Sequence, residues 1–144
     1  MSILSIAISI FIVLELLNVI VLYFNPDTKK GNGVAVFNSW NDSKKDAEMF
    51  LFTKYMVNWV AGSKLIFISL LVVILLIGDE TIKFYSICVM IVSIATYFWR
   101  LHPIIKELDK MGAITPKGYS KKLGNMIVGF LCLFIVSLII YKII

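Results

Sequence analysis

The chain has one histidine, two cysteines and three prolines in 144 residues, and nine acidic residues against 14 basic ones. With a single histidine, His102, no histidine-rich metal site can form, and the spacing of Glu107 and Asp109 from it matches no metal motif. Cys88 and Cys132 stand in different apolar stretches with no C-x-x-C, so packing is expected of them rather than redox or metal chemistry. The turn-forming run Lys29-Lys30-Gly31-Asn32-Gly33 lacks the spacing of a P-loop. The lysines flank apolar segments and build no groove-binding motif, which argues against nucleic acid as a partner. No catalytic set, cofactor or metal is expected from these residues.

What fills the chain instead is apolar. Hydrophobic residues make up 60% of it and the mean hydropathy is +0.92, above the roughly half-apolar make-up of a soluble domain. Four runs carry the excess, at about 2–24, 57–77, 81–101 and 122–143. Each is close to the roughly 20 residues a helix needs to cross a bilayer. Lipid offers backbone groups no partner, so the runs should be helices. The first has no basic leader and no small-x-small cleavage site, and it outlasts the apolar core of a signal peptide, so it reads as a permanent span. The expected fold is an all-α integral membrane protein, one four-helix transmembrane bundle with cap segments at 25–56 and 102–121.

The basic residues orient that bundle. All but Lys83 and Lys142 of the 14 lie between spans one and two, between spans three and four, or just inside the adjoining helix ends. The positive-inside rule then places both long segments in the cytoplasm and both termini outside, in a plasma (inner) membrane. The rim so formed should attract anionic lipid headgroups, with Lys29, Lys30, Arg100, His102 and Lys106 as the candidate phosphate contacts.

Local signals set the boundaries. Asn25-Pro26 should end the first helix. Ser43-Lys44-Lys45-Asp46 resembles a capping box, so the second helix should start near 44, with Ser43 as N-cap, and project from the membrane into the cytoplasm. Asp79 is a candidate N-cap for the third helix, and so short a connection implies that helices two and three are antiparallel neighbours. His102-Pro103 should end or kink the third helix. Ile104, Ile105 and Leu108 then form the apolar face of a short amphipathic cytoplasmic helix that stops at Gly112. Thr115-Pro116 reads as N-cap and first residue of the fourth helix. Small or polar stripes, Tyr55-Asn58-Gly62-Ser69 on the second helix and Asn125-Gly129-Cys132-Val136 on the fourth, should face other helices.

One position stands out. Glu15 is a carboxylate near the middle of the first span, followed one turn later by Asn18. It lies about 13 Å above the cytoplasmic boundary at 1.5 Å per residue, where an unpaired charge is costly and marks a functional position by default. Ser93 falls at nearly the same depth, and Lys64 about 9 Å in. Glu15 can serve as a switchable charge for a cation or proton, pair with Lys64, Tyr97 or Asn58, or face a pore in an oligomer. Lys64 can equally snorkel to the headgroups without a partner. In this one position the chain resembles the small multidrug transporters, which also carry a glutamate midway along helix 1 of a four-helix chain. Their glycine- and aromatic-rich helices and short loops are absent here, and no family membership follows.

The candidate intramembrane site is therefore Glu15, Asn18, Asn58, Lys64, Ser93 and Tyr97. The leading expectation is binding or translocation of a small cation or amphiphile through the bundle or an oligomer. A homo-oligomer is expected because four short spans enclose little interior. The alternatives are a non-catalytic scaffold or accessory subunit whose basic loops dock a cytoplasmic protein or anionic lipid, and a lipid-modifying membrane enzyme working at Arg100, His102 and Lys106.

Overall fold

The structure is a computed structural model that describes residues 1–29 and 32–143. Its described residues are helical with no strand. The elements are α1 (Ile3–Phe24), a 3-10 turn (Val34–Val36), α2 (Asn38–Ser43), α3 (Ala47–Ile77), α4 (Glu80–Lys110) and α5 (Tyr119–Ile143). The helices α1, α3, α4 and α5 are each long and apolar enough to cross a membrane, which marks the chain as a membrane protein.

Helix α1 runs through the centre. Its apolar window is 39% buried, against 17–22% for the other three, and it packs on α3, α4 and α5. Leu4, Ala7, Ile8 and Phe11 recur at helical spacing and meet Ile68 and Leu71 of α3, Ile87 and Met90 of α4, and Phe130 and Phe134 of α5. The Phe11 ring centroid lies 5.1 Å from that of Phe130 and 5.3 Å from that of Phe134, so three aromatic rings fill the middle of the bundle. The buried stripe of α1 then breaks. No residue between Ile12 and Val19 is buried, and Glu15 and Asn18 stand in the gap.

At one end the connections form a cap. Segments 34–38 and 112–115 are sewn together: Thr115 N donates to Val36 O at 2.8 Å and Asn38 N donates to Ala113 O at 2.9 Å, around an antiparallel bridge between Phe37 and Ile114. The Asn38 side chain extends the seam, donating to Gly112 O and accepting from Thr115 Oγ1, both at 3.0 Å. Val36, Ile105, Ile114 and Tyr119 make a second small core beneath it. Trp40 of α2 is buried, donating to Asp27 Oδ1 at 2.6 Å.

Several boundaries differ from those expected. Ser43 caps nothing: it closes α2, its hydroxyl donating back to Trp40 O at 2.8 Å, and Asp46 is the N-cap of α3, accepting from Met49 N at 3.0 Å. A carboxylate three residues further on supplies the charge-assisted cap that the serine would have supplied more weakly. Pro103 does not end α4, which continues unbroken to Lys110. A mid-helix proline costs about 3 kcal/mol; here the turns beyond it place Ile105, Leu108 and Asp109 against the cap, and that burial offsets the loss. The expected amphipathic helix is thus the end of α4, packed on the cap. Helix α5 begins at Tyr119, after a cis Thr115-Pro116 peptide. Thr115 is engaged in the seam, and Asp109 supplies the cap, accepting from Gly118 N, Ser120 N and Ser120 Oγ at 2.7–2.9 Å. Asp79 does cap α4, accepting from Ile82 N at 2.7 Å, and Asn25 ends α1.

One expected inner face is divided and another is turned. On α3, Tyr55 and Ser69 are exposed, whereas Asn58 is half-buried and Gly62 lies against α1, where a Cβ would come within 3.4 Å of the Tyr23 hydroxyl; Ala61, Ile68 and Leu71 are buried. Asn125, Gly129, Cys132 and Val136 of α5 are all exposed, with Gly124, Phe130, Phe134 and Ser137 facing in. Shape-filling aromatics at the centre outcompete small residues for the inner face. Helices α3 and α4 are joined by a tight turn yet make little contact, and an apolar cleft of about 450 Å³ separates them beyond it.

Candidate functional site

Asn18 follows Glu15 by three residues, so the two side chains project from one side of α1. Lys64 reaches them from α3. Its ammonium donates to Glu15 Oε2 at 2.7 Å and to Asn18 Oδ1 at 2.6 Å. The side chains of Lys64 and Glu15 keep 26% and 17% of their surface exposed. A charge-assisted bond is worth more to Lys64 here than a long reach to the headgroups, so it turns toward α1.

The polar chain continues beyond the ion pair. The amide of Asn18 donates to Asn32 O at 3.3 Å, and Asn32 Oδ1 accepts from Tyr119 Oη at 3.1 Å. Glu15, Lys64, Asn18, Asn32 and Tyr119 therefore link α1, α3, the turn before the 3-10 segment and the start of α5 in one series. Asn32 and Tyr119 are the two members that the sequence did not single out. As a polar residue between two glycines after two lysines, Asn32 reads as a solvated turn; only folding brings it over Asn18.

A cavity of about 520 Å³ opens between α1 and α5 at this point. Glu15, Asn18 and Asn32 form its polar end, and Leu17, Phe130 and Leu133 are among the apolar residues of its wall. Its mouth lies among exposed Leu14, Leu17, Met126 and Gly129, on the outer surface of the bundle. A Cβ at Gly129 would meet nothing within 4 Å, so glycine leaves the mouth open. A second cavity of about 260 Å³ lies between α1, α3 and the turn, walled by Lys64 and sharing Asn18 and Asn32 with the first.

The remaining candidates fall elsewhere. Ser93 is exposed on α4, its carbonyl taken by Thr96 Oγ1 at 2.6 Å. Asn58 is half-buried on α3 and lines neither cavity. Tyr97 is buried, with its hydroxyl in a long contact of 3.4 Å with His102 Nδ1. His102 packs against Gly124 of α5, where a Cβ would come within 3.4 Å of the ring. Arg100 projects from nearly the opposite face and lies 4.5 Å over the Trp99 ring, so these two do not form one cluster. Lys29 and Lys106 are exposed; Lys30 lies outside the described residues. In the cap, Lys44, and after it the Trp40 indole, hold the Asp27 carboxyl below the usual carboxylate range.

The chain matches no family model, no curated protein and no solved structure.

Proposed function

We propose that the chain binds an amphiphile between α1 and α5 and that the Glu15–Lys64 pair is the charge that opens when the polar end of the ligand arrives, as in a small transporter. The observation that carries this reading is the cavity itself: about 520 Å³ of largely apolar space whose polar lining is Glu15, Asn18 and Asn32. That volume falls in the range of small-molecule sites, which are apolar with a few placed polar groups. The mouth faces the side on which acyl chains would lie, so an amphiphile can enter sideways without crossing water.

A bare cation is served less well. The Lys64 ammonium already occupies the place between the Glu15 and Asn18 oxygens, and a hard cation wants six or more oxygens. Enzymatic work on lipid at Arg100, His102 and Lys106 has less support, because His102 faces α5 and Arg100 faces away. The lysine-rich cap is read as cytoplasmic and in contact with anionic headgroups. A homo-oligomer and a cytoplasmic protein partner on the exposed side of α2 remain part of this proposal.

The test is retention of a fluorescent amphiphile by purified protein in neutral detergent, compared with Glu15→Gln and Gly129→Leu. Weaker binding in both, with unchanged helix content, is the expected result. Equal binding by all three proteins would refute a site in this cavity.

A further inference from the structure

We infer that the amphiphile is zwitterionic, with a hydrogen-bonding ammonium and an anionic group on one head, and that the Glu15–Lys64 pair reads both charges at once. This rests on the reading of the α1–α5 cavity as a binding site. Two observations lead to it. The first is that the pair stands between two cavities. Glu15 walls the one between α1 and α5, Lys64 walls the one between α1 and α3, and Asn18 and Asn32 wall both. The two charges that hold each other also face separate spaces, each large enough to take one end of a head. The second is that the α1–α5 groove continues away from the cap. A further apolar cavity of about 270 Å³ shares Leu133 with the first and extends along α1 to Ile3. From Glu15 to Ile3 the helix rises about 18 Å. A hydrocarbon tail fits there while its head sits at the pair.

Charge balance then selects the head. A cationic head that takes Glu15 releases Lys64 into apolar surroundings with only amide oxygens for company. An anionic head that takes Lys64 strands Glu15 in the same way. Leaving one member of a buried pair without its partner is strongly unfavourable, whereas replacing both partners is not. A zwitterion supplies an ammonium to Glu15 and an anion to Lys64, so both charges stay paired and the site stays neutral. Glu15 accepts an N–H from Lys64 at 2.7 Å in the closed pair. A primary ammonium reproduces that bond and a trimethylammonium cannot. The fitting class is thus an ammonium–phosphodiester amphiphile, whether a bilayer lipid or a single-chain free form.

Native mass spectrometry of the full chain in nonionic detergent tests this with four lipids of identical acyl chains: phosphatidylethanolamine, phosphatidylcholine, phosphatidylglycerol and a cationic diacyl lipid. The expected result is a preference of at least about tenfold for phosphatidylethanolamine. Lysophosphatidylethanolamine in a parallel arm separates the sources: tighter binding of the two-chain form assigns a bilayer lipid, and tighter binding of the single-chain form a free amphiphile. Lys64→Met should turn the preference toward the cationic lipid and Glu15→Gln toward the anionic one. The double variant should bind all four alike, and it keeps the test valid if a single variant fails to fold. Equal binding of the four by the native chain overturns this inference while leaving the cavity reading intact. A preference that survives in the double variant also overturns it, because the head is then read elsewhere. Loss of all binding in Gly129→Leu supports the cavity reading; no effect of that substitution overturns both.

Discussion

Replacing Lys64 by methionine keeps the length of the side chain and removes the ammonium from between Glu15 and Asn18. The carboxylate is left facing an apolar cavity with 17% of its side chain exposed. Removing one partner of a fully buried pair costs about 3–5 kcal/mol; the remaining exposure of both side chains reduces that to about 2–3 kcal/mol here. Glu15→Gln also leaves Lys64 without its counter-charge, but the new amide oxygen still accepts from the ammonium and Lys64 is the more exposed of the two, so the loss is about 1–2 kcal/mol. Changing both together removes both charges, and such replacements are often neutral. The double variant should therefore lie within about 1 kcal/mol of the native chain, well short of the sum of the singles. The resulting coupling, at least about 2 kcal/mol, is accessible to equilibrium unfolding in mixed micelles followed by circular dichroism. Strict additivity, with coupling below about 0.5 kcal/mol, would mean that Lys64 does not rest on Glu15 and turns to the headgroups instead.

Four further outcomes are expected. Gly129→Leu should raise the stability of α5 by up to about 0.8 kcal/mol through helix propensity, since its side chain starts from open space; the same melting experiment reads it, and a destabilised protein would show that the space is filled. Tyr119→Phe removes the donor to Asn32 Oδ1 and should cost about 0.5–1.5 kcal/mol in chemical unfolding, whereas no loss would remove Asn32 from the polar series. Lys44 and the Trp40 indole depress the Asp27 pKa, so their contribution to the cap is complete above the ordinary aspartate value of about 3.9 and is lost as pH falls through the lowered one. An acid titration of Trp40 fluorescence should show that loss, and Asp27→Asn should abolish it; an unchanged profile in the variant would assign the transition to another group. With Cys88 and Cys132 replaced by alanine, Ser39→Cys should react with an impermeant maleimide only from the cytoplasmic face and Thr81→Cys only from outside. The reverse pattern would overturn the orientation expected from the basic residues, and labelling of both from one side the crossing of α3 between them.

The apolar runs alone predict four long helices, because in lipid each backbone group must be satisfied within its own segment. The caps at Asn25 and Asp79 are legible for the same local reason. Glu15 is visible because a carboxylate within an apolar run is costly unless it is paired, protonated or wetted. Legibility ends where the decision is collective. Pro103 breaks a helix judged by its own residues, but α4 passes through it because Ile105 and Leu108 find a core to fill. The stripe Asn125, Gly129, Cys132 and Val136 has the composition of an inner face, yet Phe130 and Phe134 hold that place because they reach Phe11.

By itself the sequence determined that this protein has four helices long and apolar enough to cross a membrane, where their charged ends cluster, and that one acidic group is out of place among them. Only the tertiary structure decided that Lys64 is the partner of that group, that Asn32 crosses from a distant turn to join it, and that open space lies on both sides. Helix formation depends on neighbours three or four residues away, and is written locally. Pairing and cavities depend on which faces of separate helices meet, and that is set by the sum of many weak packing contacts no single segment carries.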